Sequence, residues 1–357
     1  MVMGVVKFLK KDNLARWAKA LSEQHRVLVP KAAGGAVEFK PFDEAEAIVL
    51  ETQATAPPKK SIFPQTETLL SFKYEKDAEH PERQSVKLRE TLPEERTIVL
   101  GCRPCGARGF LVFDPVFDKG QVADPYYRAR REQTLIVSLA CKSPANTCFC
   151  NWVGSDPGDA SGSDVLMTPI SGGFLLEAVT DRGEGLLESA ETEKPSQEQI
   201  AEAQKVKDKA ARELAPAPDI SDVPEKLLAL FDNHEFWEEM AAKCISCGAC
   251  TYLCPTCYCF NISDEYTGLK GKRIRTWDNC MSSLFTLEAS GHNPRETKAK
   301  RLRNRVGHKF CYYPNLHERA VACCGCGRCI KSCPVAVDIR EIVLSAKESV
   351  DEESVSS

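Results

Sequence analysis

Cys244-Ile245-Ser246-Cys247-Gly248-Ala249-Cys250-Thr251-Tyr252-Leu253-Cys254-Pro255 is followed, about 68 residues further on, by Cys323-Cys324-Gly325-Cys326-Gly327-Arg328-Cys329-Ile330-Lys331-Ser332-Cys333-Pro334. Both stretches read C-x2-C-x2-C-x3-C-P, the spacing that wraps a [4Fe–4S] cube. Three thiolates two residues apart let one tight loop reach three corners of the cube. The fourth cysteine of each run begins a new turn and points at the other cluster. This assigns Cys244, Cys247, Cys250 and Cys333 to one cluster, and Cys323, Cys326, Cys329 and Cys254 to a second. Pro255 and Pro334 keep each fourth cysteine out of the preceding helix. Gly248, Gly325 and Gly327 allow the backbone to approach the sulfurs closely. Zinc sites more commonly use paired C-x-x-C units than two quartets of this form. Such clusters accept and pass single electrons.

Working outward, the chain has 357 residues, 43% of them hydrophobic, and a net charge of −4. That length suits two domains, and the charge suits neither a nucleic-acid binder nor a membrane-surface protein. No apolar run approaches the ~20 residues of a membrane span. Met1 to Leu9 is too short for a signal-peptide core, and Lys10, Lys11 and Asp12 follow it. The expected location is cytoplasmic, where eighteen cysteines read as metal ligands rather than disulfides.

The fold class expected is an α/β N-terminal domain, residues 1–215, followed by an α+β or mostly α two-cluster ferredoxin-like domain, residues 216–345, with a long insertion. An acidic, Ser-rich tail over 346–357 is expected to be disordered. In the first domain, Asp12 is expected to cap a helix with Leu14, Trp17, Ala18 and Leu21 on one face. Short branched runs at 26–30, 47–50, 97–100 and 134–139 read as buried strands. Residues 54–64 and 154–164 read as loops. Ser196 and Gln199 form a capping box before a helix with Ile200, Ala203, Val206, Ala210 and Leu214 on one side. Ala215-Pro216-Ala217-Pro218 then supplies a stiff linker. A helix from about 224 to 242 leads into the first cysteine run.

Five more cysteines follow strands of the first domain: Cys102 and Cys105 after one, Cys141, Cys148 and Cys150 after another. Strand ends of an α/β sheet are where ligands are usually held. The candidate third cluster takes Cys105, Cys141, Cys148 and Cys150, with Cys102 to spare; the alternative is buried thiols. Cys257, Cys259, Cys280, Cys311 and Cys324 are read as packing or neighbouring thiols. The basic run of Arg295, Lys298, Lys300, Arg301, Arg303, Arg305, His308 and Lys309 suits charge compensation of anionic clusters or protein docking better than RNA. No G-x-G-x-x-G follows a strand, and neither a P-loop nor an H-E-x-x-H occurs, so no catalytic constellation is assigned.

Several motifs carry a wider resemblance: Leu100-Gly101-Cys102-Arg103-Pro104-Cys105-Gly106-Ala107-Arg108, then Phe63-Pro64-Gln65-Thr66-Glu67-Thr68-Leu69, Tyr126-Tyr127-Arg128, Cys148-Phe149-Cys150, Cys254-Pro255-Thr256-Cys257-Tyr258-Cys259-Phe260, Trp277-Asp278-Asn279-Cys280 and His308-Lys309. Over roughly residues 45–340 the chain resembles a family of iron–sulfur chains that includes the β subunit of cytoplasmic sulfhydrogenases (NiFe hydrogenases) and its counterpart in anaerobic sulfite reductase. It departs at Cys102, where the family often has an aliphatic residue, and at Gly106, where it often has Asp. The resemblance implies a non-catalytic electron-transfer subunit of anaerobic metabolism. Its implied partners are a flavoprotein subunit with FAD and [2Fe–2S], and a catalytic oxidoreductase subunit of hydrogenase, sulfite reductase or heterodisulfide-reductase type. The rival readings are a subunit with its own FAD site and a redox-sensing iron–sulfur protein.

Overall fold

The computed structural model describes residues 5–77, 79–80 and 82–355. Its strands are β1 Val6–Lys10, β2 Arg26–Ala33, β3 Ala36–Pro41, β4 Thr66–Lys76, β5 Gln84–Glu90, β6 Thr97–Cys102, β7 Thr134–Leu139, β8 Val165–Ile170, β9 Gly173–Ala178, β10 Phe260–Thr267 and β11 Lys270–Trp277. Seven of them form one sheet in the order β1-β9-β8-β7-β6-β2-β3. Its centre, β2, β6, β7 and β8, is parallel, and β3, β9 and β1 are antiparallel. β6 and β7 are almost wholly buried apolar runs, as strands covered on both faces must be.

The helix Asn13–Ser22 buries Leu14, Trp17, Ala18 and Leu21, the face expected from its periodicity, but Asp12 at its N-cap has helical backbone angles and makes no side-chain capping bond. The helix Gln197–Arg212 opens on the capping box of Ser196 and Gln199 but buries only Ala203 and Ala210. Residues 47–50 do not form a strand. The flank of β2 is taken by β3, so Val49 makes a single bond to the Pro30 carbonyl. The Leu50 carbonyl is met instead by Arg103 Nη2 at 2.6 Å.

The expected helix over 224–242 is two, Val223–Ala229 and His234–Ala241. Asn233 caps the second by accepting from the Phe236 amide, and Trp237 Nε1 donates to the freed Leu230 carbonyl. The helix Ile339–Val355 continues through much of the segment expected as a disordered tail; Ser356–Ser357, like Met1–Gly4 of the apolar start, lie outside the described residues.

A second sheet, antiparallel, runs β10-β11-β4-β5. It takes β4 and β5 from before position 215 and β10 and β11 from between the cysteine runs, so the two halves of the chain share it. Two further contacts tie the halves together. Gly109, in the helix Pro104–Phe117, lies so close to Pro255 that a Cβ there would stand 2.9 Å from the proline Cβ. Phe149 and Val153, from the loop after β7, enter the apolar core built by the C-terminal helices around Trp237, Leu302 and Ile342.

Candidate iron–sulfur centres

The two cysteine runs fold alike. Cys244 and Cys323 each accept a bond from the amide two residues on: Ser246 N–H at 3.4 Å and Gly325 N–H at 3.4 Å. Gly248 and Gly327 stand in the left-handed region, with φ +76° and +71°, and open the short helices Ala249–Tyr252 and Arg328–Lys331. Val337 N–H adds a bond to Cys333 Sγ at 3.2 Å. Amides aimed at sulfur favour thiolate and tune the potential of a cluster held there.

Cys244, Cys247, Cys250 and Cys333 line one cavity, with Met281, Leu302, Val306 and Ile342 as its apolar wall and Arg305 and Cys329 at its inner side. The other four thiols lie close enough to feel one another: Cys323, Cys326 and Cys329 each sense Cys254. Burial raises Cys323 to about 12 and raises Cys329 and Cys326, and the charge of Cys254 pushes all three further up. Cys254 itself is held well down, first by a hydrogen bond with Cys257 and then by Lys309 and Arg305. Buried thiols that resist ionisation alone ionise when a cationic metal arrives, so binding and deprotonation are linked. The first set lines a cavity instead of meeting at a point, which suits a multi-atom cluster with one thiolate per corner.

The structure also brings Cys105, Cys141, Cys148 and Cys150 together. Burial raises Cys141 to about 12 and raises Cys148 and Cys150, and each also feels the charge of Cys105. Cys102, raised by burial to about 12, stands behind Cys105 at the end of β6. Cys105 and Cys141 therefore sit at the carboxyl ends of adjacent parallel strands, where an α/β sheet holds ligands.

This third set abuts the second. Arg328 Nη1 lies 3.7 Å from Cys105 Sγ, and Gln53 Nε2 donates both to Cys105 Sγ at 3.5 Å and to the Cys326 carbonyl at 3.4 Å. Cys148 Sγ is 4.0 Å from the same carbonyl, and Phe149 N–H donates to Gly325 O at 2.8 Å. Burial disfavours the charge on Arg328, but Cys326 and Cys105 beside it act the other way and outweigh burial, so the guanidinium is held above its ordinary range.

Of the basic run, Arg301, Arg305 and Lys309 are buried, at i, i+4 and i+8 of the helical segment that begins at Lys298. Arg305 and Lys309 face the thiols; Arg301 ties the helix start to Ser246. Arg303 instead covers the Phe231 ring, and Lys298 and Lys300 bond at the surface. Lys59 was hidden in what reads as a plain Pro-Pro-Lys-Lys loop. It is buried, lies over the Trp277 ring, and donates to the carbonyls of Cys257 and Thr251 at 2.9 and 3.4 Å. Gln53 gave no sequence signal at all. Cys311 is packed in the C-terminal core, and Cys324 beside Cys105 and Cys326.

A family model described as "4Fe-4S dicluster domain" matches residues 243–337, the span of both runs. Over 346 residues the chain is 26% identical to Sulfhydrogenase 2 subunit beta of Pyrococcus furiosus, covering 96% of this chain and 98% of that one. No solved structure matches. Both findings agree with the resemblance carried by the motifs and support a sulfhydrogenase β-type [4Fe–4S] subunit. Among the described residues, no helix is long and apolar enough to cross a membrane.

Proposed function

We propose that this chain is the electron-transfer subunit of a cytoplasmic, multi-subunit oxidoreductase. It relays single electrons between a flavoprotein partner that handles NAD(P)H, carrying FAD and [2Fe–2S], and a catalytic partner. Bound [4Fe–4S] clusters supply one-electron redox chemistry. Cys244, Cys247, Cys250 and Cys333 hold one; Cys323, Cys326, Cys329 and Cys254 a second; Cys105, Cys141, Cys148 and Cys150 a third. The protein's own part is to order these sets, exclude water from the inner two, and balance their charge with Arg305, Lys309 and Arg328.

The observation that carries this reading is the contact between the second and third sets, where Arg328 and Gln53 reach from one to the other. Thiols kept only for packing need no such bridge. That the relative is named as a subunit supports an assembly of several chains.

Anaerobic purification, iron and acid-labile sulfide analysis and EPR after dithionite reduction test it. About twelve irons in the three named sets is the expected result. About eight, with the spectrum of two coupled cubes, removes the third set from the relay. About four or fewer rejects the relay.

A further inference from the structure

Gln53 belongs to none of the cysteine runs, yet its side-chain amide stands between two of the thiol sets. Its Nε2 donates to Cys105 Sγ at 3.5 Å and reaches the Cys326 carbonyl at 3.4 Å. A primary amide carries two N–H groups, so one serves each acceptor. The two ends are not equivalent. At Cys105 the acceptor is the sulfur itself; at Cys326 it is a backbone oxygen.

The segment that carries Gln53 is held from several sides. Arg103 Nη2 donates to Leu50 O at 2.6 Å and to Glu51 O at 3.2 Å. Arg328 Nε donates to Ala54 O at 2.9 Å, and the Thr55 amide donates to Val37 O at 2.8 Å. A side chain on a backbone fixed at both flanks keeps its amide in place. The other donor near this sulfur is Arg328, whose Nη1 lies 3.7 Å from Cys105 Sγ. Arg328 stands beside Cys326 as well, so its charge acts on both sets and separates them little. An N–H aimed at one sulfur is different. It stabilises added negative charge on that side alone, and hydrogen bonds to ligand sulfurs set the potential of a cluster.

We propose that Gln53 is a positioning residue that sets the step in potential between the second and third sets and draws the electron toward the N-terminal one. The inference rests on the iron–sulfur reading of the third set. Loss of the bond to Cys105 is expected to shift the reduction equilibrium of that set about tenfold, equivalent to about 59 mV for one electron.

The test compares the full chain, prepared anaerobically, with Gln53→Met, which keeps the length of the side chain and removes both donors. Iron analysis reads the loading. Redox titration followed by EPR and Mössbauer spectroscopy reads the midpoint of each component, the N-terminal one being that perturbed by Cys141→Ser. The N-terminal midpoint is expected to fall by the stated amount, with about twelve irons retained and the first-quartet midpoint unmoved. Full loading with every midpoint unmoved overturns the inference and leaves the relay standing. Wild-type protein with about eight irons removes the third set and the inference with it. Should Gln53→Met lose iron, Gln53→Glu decides, since it puts a carboxylate of the same shape where the donor stood. A lowered N-terminal midpoint in that variant supports the inference. A midpoint at or above the wild-type value, or loss of the N-terminal iron here too, makes Gln53 a structural contact and overturns it.

Discussion

Gly325 occupies the tightest point between the second and third thiol sets. Its φ is +57°, and a Cβ there would lie 2.4 Å from Phe149 O and 2.5 Å from Cys150 Cα. Gly327 is placed likewise against Thr147 O. Gly325→Ala therefore meets two penalties: about 1–2 kcal/mol for the left-handed backbone and a backbone overlap that only displacement of the Cys148–Cys150 loop relieves. The variant is expected to have a lower denaturation midpoint and to lose iron from the N-terminal set before the two quartets. Iron analysis and Mössbauer spectra of the purified variant check this; an unchanged midpoint with full iron would show that the loop does not need the close approach. The sequence marks these glycines as loop glycines beside the cysteines, and Gly325 N–H does donate to Cys323 Sγ. Their second duty, admitting another loop, depends on a neighbour some 175 residues away and has no local signature.

At the scale of elements, the seam between the halves is a buried ion network. Arg275 of β11 pairs with Glu67 of β4, its Nε 2.7 Å from Oε1, and also with Asp124. Arg130 pairs with Glu67 from the other side. Asp124 at the same time caps the helix Pro125–Gln133, accepting from the amides of Tyr126 and Tyr127. The Arg275 guanidinium also lies 5.1 Å from the Phe63 ring centroid, and Trp277 Nε1 donates to Phe63 O. Removing one partner leaves buried charge uncompensated, at about 3–5 kcal/mol. Arg275→Ala should thus destabilise strongly, and Glu67→Ala/Arg275→Ala should cost less than the sum of the two single changes, as a double-mutant cycle in guanidinium would measure. Additive costs would show that the two side chains act independently. The same seam explains what was legible beforehand. The strands β2, β6 and β7 and the helix Asn13–Ser22 follow from local periodicity. The β4–β5 and β10–β11 hairpins do not, because β5 is exposed along its whole length and β10 nearly so, and the short alternations they carry, such as Val86 and Leu88, are diluted by charged residues. The scattered family motifs around Phe63, Glu67, Tyr126 and Trp277 were visible as words in the sequence; that they meet in one place follows only from the pairing of β11 with β4.

For the whole molecule, the order of the thiol sets gives the relay a direction in space. In the inner quartet Cys254, Cys323 and Cys326 are buried and Cys329 half-buried; in the N-terminal set Cys105 and Cys150 are buried and Cys141 and Cys148 half-buried, with the Arg340 guanidinium reaching Asn146 O in the same loop. The first quartet is different: Cys247 is exposed, Ile245 beside it is 61% exposed, and Tyr252 also reaches solvent. Electron exchange between proteins needs close approach without a large permanent interface, and redox encounters use small ones. The exposed loop of the first quartet is therefore where a redox partner is expected to approach. Ile245→Glu places a charge on that surface while leaving every thiol of the quartet in place. It is expected to leave iron content and EPR spectra unchanged while slowing partner-dependent electron transfer by roughly tenfold, the effect of about 1.4 kcal/mol on docking. Stopped-flow bleaching of the cluster absorbance with the flavoprotein and with the catalytic partner, each in turn, reads both arms. Slowing with one partner alone assigns the Cys247 end to that partner and sends the other to the N-terminal set; unchanged rates with both would move docking away from the only quartet that has an exposed thiol among the described residues.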